Sequence, residues 1–518
     1  MKKLMIALGI VIFGLLLSIP LHFMKENNKN DLLTNSSDVE RYDHHIKVNT
    51  DSWKGYKILC GDVMKNMLRQ KRIRFECIDD KANYTERMKN LKSQKTQFAV
   101  LEVGSYVIEG ADFNYPASII MGIDTSFQGD SVVANKNSIP NIDALREANN
   151  AKIALTLKSP SEMFSKIVST HYDLKVFEDS NNMIESDGAK DAMKKLLKGE
   201  VDAAVIWEPY RSIALQDKNM VEIISTKDAQ DTIVDVLAVE REFGEDNPDL
   251  VKTVLVSYFK ALKHYKENPS ELIEEIKDDQ DTKGMSTANI EKMVEGIHWI
   301  NLTENCAKWF ACDSSDWSAK HEVIDTIKMT LEVWNSFGDI NGNPLPNQDA
   351  YNIVNGEYLA DLYTNGIIEE DPNQNLVDSL EKNFSPWSDS DWKMAKSFGK
   401  LKNDPVKFTK NSELRESSKE AIDDIATKLK HYPNFRIMIY GHTGTLGDQD
   451  KKLGISQERA EWVKRYLQIT YNIDEDRIKA VGLGGTKPLK LKRNENEHSR
   501  AYQAKLSRVE VYLIQESY

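Results

Sequence analysis

The feature that most limits the possible folds of this chain is an alternation of short apolar runs with longer charged stretches between residues 48 and 245. The apolar runs resemble strands, for example "FAVLEV" (98–103), "KIALTL" (152–157) and "DAAVIW" (202–207), and helix-like segments such as "GAKDAMKKLLKGE" (188–200) lie between them. Strands that alternate with helical patterns indicate βαβ units built on a parallel sheet. The pattern therefore predicts an α/β fold for this region.

A second unit of alternating strands and helices is predicted at the C-terminal end of the 518-residue chain. Its predicted strands and helices lie around residues 405–408, 415–430, 435–440, 456–470, 478–483 and 508–514. Between the two units the pattern is mostly helical to about residue 365, and a polar stretch with two prolines then follows within 370–395. We therefore predict a first domain at 48–367, a linker at 368–397 and a last domain at 398–518.

The first 24 residues, "MKKLMIALGIVIFGLLLSIPLHFM", begin with a short basic segment and continue as an apolar run. A membrane-spanning helix needs about 20 apolar residues, whereas a cleaved signal has a shorter apolar run and small residues at its cleavage site. Because no Ala-x-Ala follows, we expect a retained membrane helix at 1–24, with a cleaved signal as the alternative, and a polar linker at 25–47. The basic flank then stays cytoplasmic, which predicts a single-pass inner-membrane protein with its bulk in the periplasm.

The charge balance limits the partners of this chain. The net charge is −13 and the isoelectric point is about 5.4, so the surface repels phosphate backbones and no nucleic-acid partner is expected. Cys306 and Cys312 close a short loop in which a disulfide is feasible in an oxidising compartment. For Cys60 and Cys77, buried free thiols remain an equal alternative.

Three stretches of the first domain carry a resemblance to a known family. These are "VNTDSWKGYKIL" (48–59), "GIDTSFQGDSVVANKNSIPNIDAL" (122–145) and "LLKGEVDAAVIWEPYRSIAL" (196–215). They resemble ABC-transporter solute-binding proteins of the nitrate/sulfonate/taurine type. The resemblance implies two α/β lobes of the type II periplasmic-binding-protein class, a ligand cleft between them, and closure about a hinge. It also implies a small-molecule solute, with an anion among the candidates, and an ABC permease as a candidate partner.

Candidate solute-binding residues follow the predicted strands, because ligands of open α/β sheets bind beyond the carboxyl ends of the strands. They are Trp53, Ser105, Asp124, Ser159, Ser161 and Trp207. Ser159 is predicted to cap a helix with Pro160 in its first turn, and such a helix start can receive an anion or can simply be an ordinary helix start. Asp124 would instead suit a cationic or hydroxyl-bearing ligand, and Trp207 either lines the cleft or fills a lobe core.

No catalytic motif is present in the sequence. It contains no nucleophile elbow, no HExxH and no P-loop, and the tandem "DHH" at 43–45 falls in the predicted polar linker. We therefore expect a protein that is not an enzyme, with no catalytic residue, no cofactor and no metal site.

Four segments of the last domain carry a second resemblance. They are "GHTGTLG" (441–447), "ISQERAEWVKRYL" (455–467), "RIKAVGLGGTKPL" (477–489) and "SRVEVYL" (507–513). They resemble the OmpA-like peptidoglycan-binding domain, which also occurs in the flagellar stator B subunit. The resemblance implies a βαβαβ fold and a partner in peptidoglycan.

In that family, a loop aspartate and a helix arginine grip the zwitterionic diaminopimelate of the wall peptide, since an acid receives the ammonium and a guanidinium receives the carboxylate. The arginine corresponds to Arg459, but the aspartate corresponds to Gly444, and Lys452 stands in place of a loop asparagine. Asp448 or Asp450 of the same loop is a candidate replacement for the acid. The residues predicted to bind peptidoglycan are Thr443, Asp448, Arg459 and Arg508.

Together these features predict a cell-envelope protein that binds a small solute and attaches to peptidoglycan. The alternative is a structural wall tether or a protein-docking scaffold that resembles a stator B subunit. Ion conduction is not expected in that case, because the apolar run from Leu4 to Ile19 contains no Asp or Glu, and an ionisable residue inside a membrane span marks such a path.

Overall fold

The computed structural model describes residues 42–312, 320–366, 384–408, 414–492 and 497–515. The predicted membrane helix at 1–24, most of the polar linker that follows it, and residues 368–383 of the second linker lie outside these ranges. Within the described ranges, no helix has the length and apolar character that crossing a bilayer requires.

The first lobe starts as a series of strand–helix units. Its elements to residue 126 are β1 (His44–Thr50), α1 (Lys57–Cys60), α2 (Asp62–Gln70), β2 (Ile73–Asp79), α3 (Tyr84–Lys92), β3 (Phe98–Glu102), α4 (Val103–Ala111) and β4 (Ala117–Ser126). Strand β1 begins inside the stretch predicted as a polar linker, because Ile46 and Val48 are buried while the histidines before them are exposed. The "DHH" stretch therefore leads into the sheet rather than lying in a tether.

The second lobe is inserted into the first. Its elements are β5 (Asp130–Asn135), α5 (Ile142–Glu147), β6 (Ile153–Leu155), α6 (Pro160–Tyr172), β7 (Met183–Glu185), α7 (Ala189–Leu197), β8 (Ala203–Trp207), α8 (Tyr210–Ala214) and β9 (Met220–Ser225). The sheet order is β7-β6-β8-β5-β9, and β5 runs antiparallel to both of its neighbours. Two short connections, 127–129 and 226–233, join this lobe to the first.

The chain then returns to the first lobe. The returning elements are β10 (Val234–Glu240), α9 (Arg241–Asp246), α10 (Pro248–Glu267), α11 (Pro269–Lys277), α12 (Thr287–Glu295), β11 (Ile297–Trp299), α13 (Leu302–Glu304), α14 (Glu322–Phe337) and α15 (Glu357–Thr364). The sheet order is β11-β4-β10-β3-β1-β2, with β10 antiparallel between β3 and β4. The strand that arrives from the other lobe is thus inserted between two strands of the receiving sheet: β10 lies between β3 and β4, and β5 lies between β8 and β9. The predicted two-lobed α/β architecture is confirmed.

The central strands are buried on both faces. Every residue of β3 ("FAVLE") and of β8 ("AAVIW") is buried. Such near-continuous apolar runs are typical of strands in a largely parallel sheet that helices cover on both sides. This explains why these two runs were readable as strands from the sequence.

All four cysteines are paired. Cys60 at the end of α1 is bonded to Cys77 in β2, and Cys306 is bonded to Cys312. The free-thiol alternative for Cys60 and Cys77 is therefore wrong. Two disulfides are typical of a protein in an oxidising compartment, which agrees with the predicted export.

The C-terminal domain is a four-stranded sheet with helices. Its elements are α16 (Asp389–Met394), β12 (Lys396–Leu401), α17 (Lys419–Lys430), β13 (Arg436–His442), α18 (Gln449–Tyr471), β14 (Ile478–Gly482), α19 (Ser499–Leu506) and β15 (Arg508–Gln515). The sheet order is β12-β15-β13-β14, and the parallel pair β13–β14 is joined through α18. The first strand lies at β12 and not at 405–408 as predicted, because "KSFGKL" pairs with β15 whereas Phe408 forms only an isolated bridge.

The C-terminal domain packs against the second lobe through a cluster of rings. Tyr172 at the end of α6 makes edge-to-face contacts with Phe398 of β12 and with Tyr432, at ring-centroid distances of 6.2 and 5.8 Å. The His171 ring shares a 2.7 Å hydrogen bond with the Tyr432 hydroxyl and stacks on His431. We call these five residues the interdomain ring cluster; burial lowers the pKa of both of its histidines.

Candidate functional site

The edge of the first sheet carries a row of acidic side chains. The strand register places Glu102 of β3 opposite Asp235 of β10, and Asp235 opposite Asp124 of β4. Side chains directly opposite each other on neighbouring strands lie on the same face of a sheet. All three residues are buried. The row lies beside the two interlobe connections, because β4 ends at Ser126 and β10 begins at Val234.

Two aromatic side chains donate to this acidic row. Trp53, which follows β1, donates from its indole Nε1 to Asp124 Oδ1 over 3.1 Å. Tyr56 donates from its hydroxyl to Asp235 Oδ1 over 2.7 Å. Each of these two carboxyl groups is thereby fixed through one oxygen by a neutral donor.

Glu102 has a structural role at the start of α4. Its two carboxyl oxygens accept the backbone N–H groups of Gly104 and Ser105, both over 2.7 Å, and the Ser105 hydroxyl donates to it over 2.9 Å. This is an N-cap, which satisfies amides that a helix start leaves without partners. The predicted cleft residue Ser105 is therefore bonded to Glu102.

The second lobe contributes a further carboxyl group at the first connection. Asp130 opens β5, and its Oδ2 accepts a 2.6 Å hydrogen bond from the Ser126 hydroxyl. Thr226 of the second connection donates from its backbone N–H to the Asp130 carbonyl over 2.9 Å. Trp207 lies directly opposite Asp130 on β8. The second connection is thus bonded to the first residue of β5, directly after the first connection.

Burial controls the protonation of these acids. It raises the pKa of Asp124, Asp130 and Glu102 to about 7 each. Burial, and then the charge of Asp124, raises the pKa of Asp235 well above its usual range. Two adjacent buried carboxyl groups share a proton because they cannot both ionise at low cost. The row therefore retains protons near neutral pH.

The nearby cations are paired with other acids. Arg87 is fully buried and its Nη2 bonds Asp80 over 2.6 Å and Asp51 over 3.1 Å. Lys54 and Lys57 both bond Asp279. Among the residues that the structure describes, no lysine or arginine forms an ion pair with Asp124, Asp130 or Asp235. In the same part of the chain, no group of three or more His, Cys, Asp or Glu is arranged to hold a metal ion.

The six residues predicted to line the cleft are all buried. The structure brings Trp53 and Asp124 into contact, and Trp207 lies beside them through Asp130. The lobes also touch farther along, where a Cβ added to Gly104 of α4 would stand 2.8 Å from Met163 Cγ of α6. The structure is therefore closed over these residues, and a solute would enter only when the lobes separate.

The start of α6 is a capped helix end, as predicted. The Ser159 hydroxyl oxygen accepts the Ser161 N–H over 3.2 Å, and Pro160 is the first helical residue. The Lys158 N–H donates to Glu162 Oε2 over 2.5 Å. A carboxylate thus already lies at this helix start, although the Ser161 hydroxyl is buried without a partner among the described residues.

Sequence reasoning missed Asp130, Asp235 and Tyr56. Asp235 and Tyr56 are far apart in the chain, and only the register of β10 and the turn after β1 bring them together. The one available signal was the position of Asp130 in "QGDSVV", directly before a predicted apolar strand.

The second candidate site surrounds Arg459 on α18. Its Nη1 donates to the Ser507 hydroxyl over 2.5 Å, and its guanidinium carbon lies 5.2 Å from the centroid of the Phe408 ring. Its Nε is buried without an acceptor among the described residues. Burial lowers the pKa of Arg459. The Arg459 guanidinium is thus held in place through Nη1, and its Nε–H group remains available to an acceptor.

An amide occupies the place of the missing acid. Gln503 Oε1 lies 2.5 Å from where a Cβ of Gly444 would stand, and it accepts the N–H groups of Thr445 and Leu446 over 2.6 and 3.2 Å. A side chain at position 444 would collide with this amide. Lys452 is also buried in the loop, and its Nζ has no acceptor among the described residues. The loop around Gly444 therefore carries a neutral amide oxygen in place of the acid, and the Lys452 ammonium is buried in the same loop.

The other predicted wall-binding residues have bonds within the domain. Asp448 caps α18 by accepting the N–H groups of Asp450 and Lys451 over 3.0 and 3.3 Å. Arg508 donates from Nε to Glu510 Oε1 over 2.9 Å. Thr443 is buried and donates its backbone N–H to Gly484. Of the four, Arg459 alone has a side-chain N–H recorded as buried and without an acceptor in the described part of the chain.

Comparison with known proteins agrees with the C-terminal prediction. Residues 408–502 match the OmpA family. The chain is 31% identical over 90 residues to the peptidoglycan-associated lipoprotein of Buchnera aphidicola, which covers 17% of this chain and 51% of that protein. It is 33% identical over 76 residues to the probable lipoprotein YiaD of Escherichia coli, with 15% and 34% covered. The chain thus spans about half or less of the length of the curated relatives it matches.

A solved structure is similar to the two-lobed domain. It is the periplasmic aliphatic sulphonate binding protein SsuA from Escherichia coli, with a TM-score of 0.44 and 15% sequence identity. The similarity covers 57% of this chain and 92% of that one.

Proposed function

Because an OmpA family domain follows a two-lobed α/β domain in this chain, we propose that it is a non-enzymatic cell-envelope protein. It binds a small solute between its lobes and attaches to peptidoglycan through its C-terminal domain. The observation that carries the proposal is the Arg459 guanidinium, which is held by Ser507 and keeps a buried N–H without an acceptor among the described residues. A wall carboxylate would supply that acceptor.

The wall attachment is tested with isolated sacculi and variants of the full-length protein. We expect Arg459→Gln to bind about ten- to a hundredfold more weakly, because a charge-assisted hydrogen bond is lost. Arg459→Lys keeps the charge but lacks the planar guanidinium, so its affinity for sacculi should lie between those of the Arg459→Gln variant and the unmodified protein. Arg465→Gln alters an exposed arginine of the same helix and should bind as the unmodified protein does. Equal binding of the Arg459→Gln and Arg465→Gln variants would remove Arg459 from the site.

The missing acid changes what the wall site can recognise. Gln503 Oε1 is neutral, so it accepts from an ammonium more weakly than a carboxylate does. Asp448 is engaged as a helix cap, which leaves Asp450 as the candidate carboxylate of this loop. We expect Asp450→Asn to reduce binding to sacculi, with Asp448→Asn reducing the stability of the domain instead.

The proposed topology places the bulk of the chain in the periplasm, held to the inner membrane by residues 1–24, with an ABC permease as the candidate partner of the two-lobed domain. The two disulfides support an exported protein. Protease added to spheroplasts should digest residues 42–515 and leave an N-terminal fragment in the membrane. Release of the intact protein with the periplasmic contents would contradict this topology.

A scaffold without a ligand is the second candidate function, and one observation favours it: the predicted cleft residues are buried between closed lobes. Thermal unfolding with a broad solute library separates the two functions, because a bound ligand raises stability by RT ln(1 + [L]/Kd). A saturable rise supports solute binding. An unchanged melting temperature across the library supports the scaffold.

A further inference from the structure

Two buried carboxyl groups at the cleft each have one unused oxygen. Asp124 receives Trp53 on Oδ1, and apart from the carboxyl group of Asp235, with which it shares a proton, no N–H or hydroxyl of the described residues donates to its Oδ2. Asp130 receives Ser126 on Oδ2, but its Oδ1 likewise has no donor in the described part of the chain. The great majority of buried polar side-chain atoms in proteins do have a hydrogen-bond partner. These oxygens are therefore acceptors that the fold itself does not satisfy.

An independent observation adds a donor at the same place. The indole Nε1 of Trp207 is buried and has no acceptor among the described residues. Trp207 and Asp130 are directly opposite on β8 and β5, so their side chains leave the sheet on the same face. The unused Asp130 oxygen and the unused Trp207 N–H thus lie on one face of the second sheet, beside the connection that leads from Asp124 and β4.

The charges around these residues determine whether they favour a cationic or an anionic ligand. The acids at the connections have no lysine or arginine as ion-pair partner among the described residues, since Arg87, Lys54 and Lys57 are paired with Asp80, Asp51 and Asp279. A cation placed against these carboxyl groups favours their ionised form and is attracted by it, whereas an anion disfavours that form and gains no such attraction. The residues do not form a metal-binding cluster in the described ranges, which favours an organic cation.

We propose that the cleft binds a small organic cation, an amine or amidine whose N–H groups donate to Asp124 and Asp130 and which also carries an acceptor for the Trp207 indole. This inference rests on the proposed function, since it names the class of solute for the same cleft. It differs from the anion that the resemblance to nitrate- and sulfonate-binding proteins suggested.

Binding of the cation is linked to proton release. Asp124 and Asp235 are cross-strand partners that share a proton, and a cation would replace it. The titratable groups that face this pair are Asp130, Glu102, Asp51, Tyr56, Tyr258 and His298. His298 loses its own charge as the pH rises, which acts in the same direction. The affinity for the cation therefore rises between pH 6 and pH 8.

The test compares ligands that share a skeleton and differ in the sign of their charge. The full-length protein is titrated calorimetrically with ethanolamine and isethionate, which have the same two-carbon hydroxyl skeleton, and with a library of amines, amidines, sulfonates and phosphates. We expect saturable binding of members of the cationic series only. In buffers of different ionisation enthalpy, this binding should release protons.

Three variants connect the binding to the named residues. Asp124→Asn and Asp130→Asn keep the side-chain volume and should each weaken the cation by about tenfold or more, since a charge-assisted hydrogen bond becomes a neutral one. Asp112→Asn makes the same change at an exposed aspartate of the first lobe and should leave affinity unchanged. A melting curve for each variant verifies that it is folded.

The outcomes separate this inference from the proposed function. Binding of sulfonates or phosphates, retained in Asp124→Asn, would overturn the cation and leave solute binding intact. Equal affinity for the cation in all three variants would show that Asp124 and Asp130 do not bind it. If no member of either series binds, solute binding itself fails and the inference fails with it.

Discussion

Trp53 is the side chain that joins the acidic row to the first interlobe connection. Its indole donates to Asp124, and its six-membered ring occupies the space beside Gly129, where any Cβ would overlap it. Gly129 lies in the connection between β4 and β5. The absence of a side chain at one residue therefore permits a large ring from the first lobe to cover the hinge.

We predict that Gly129→Ala destabilises the protein by about 1–3 kcal/mol, because a methyl group inserted into a packed site forces its neighbours to move. The same substitution should cost less in a Trp53→Phe background, since the smaller ring vacates part of that space. Urea unfolding of the two single variants and the double variant measures the coupling between the two positions.

Gly454→Ala provides the control for this cycle. A Cβ at Gly454 meets nothing within 4 Å, and alanine is favoured over glycine inside a helix by about 1 kcal/mol. This variant should be as stable as the unmodified protein or more so. An equal loss for Gly129→Ala in the unmodified protein and in the Trp53→Phe background would show that the ring does not set the cost.

At the scale of elements, helix α6 connects two parts of the molecule. Its first turn faces Gly104 of the first lobe through Met163, and its last turn supplies His171 and Tyr172 to the interdomain ring cluster. The helix ends at Asp173, which adopts a left-handed conformation and forms an ion pair with Lys402 of the C-terminal domain. One helix thus contacts both the cleft and the C-terminal domain.

The interdomain ring cluster should make stability depend on pH. The folded protein holds His171 and His431 with lowered pKa values, so the unfolded chain binds more protons as the pH falls through about 6.5. This contribution to stability is present above that pH and is lost below it. We therefore expect the urea midpoint of His171→Gln, taken relative to that of the unmodified protein, to rise as the pH falls from 7.5 to 5.5.

The buried carboxyl groups act in the opposite direction, because Asp124, Asp130 and Glu102 have raised pKa values in the fold and lose stability as the pH rises. The quantity to compare is therefore the difference between variants over the same pH range. His264→Gln, at a partly exposed histidine away from the cluster, is the control. The same pH slope for His171→Gln and the unmodified protein would contradict the role of the cluster.

The sequence predicted those elements whose burial leaves a regular pattern. Strands β3 and β8 are continuous apolar runs, and the Ser159 cap of α6 has its proline in the expected place. Strand β12 was missed because "KSFGKL" has only two large apolar residues, which are three positions apart and give no alternation, and it gains its place only by pairing with β15.

The candidate sites were predicted only in part, for a related reason. Asp124 and Trp53 follow predicted strands, so their place at the sheet edge could be anticipated. Asp235 lies inside the antiparallel strand β10, and its position beside Asp124 depends on register between segments more than a hundred residues apart. The amide of Gln503 at Gly444 is likewise a tertiary contact that no local pattern indicates.

At the scale of the whole molecule, the C-terminal domain contacts the second lobe, whereas the N-terminal segment leads into β1 of the first. The Lys402 N–H donates to the His171 carbonyl and the Gln230 N–H to the His431 carbonyl, both over 2.7 Å. The first of these bonds reaches the second lobe and adds to the interdomain ring cluster, and the second reaches the interlobe connection 226–233. The C-terminal domain and the second lobe are therefore expected to move together when the lobes separate.

Hydrogen exchange of the full-length protein tests this expectation. A saturating ligand of the cleft should slow exchange at the connections 127–129 and 226–229, because closure protects them. The amides of Lys402 and Tyr432 should exchange at the same rate with and without the ligand, since the second lobe carries the C-terminal domain with it. A ligand-dependent change in exchange that is confined to Lys402 and Tyr432 would instead place the hinge between the second lobe and the C-terminal domain.

The docking of the last domain on the second lobe has a mechanical consequence. If that domain is bound to peptidoglycan as proposed, the second lobe is held in place and the first lobe is the one that moves. The first lobe is also the one from which the chain runs back towards residue 1. Each capture of a solute would then move the first lobe relative to the cell wall, so that occupancy of the cleft is converted into a displacement of β1, where the described part of the chain begins.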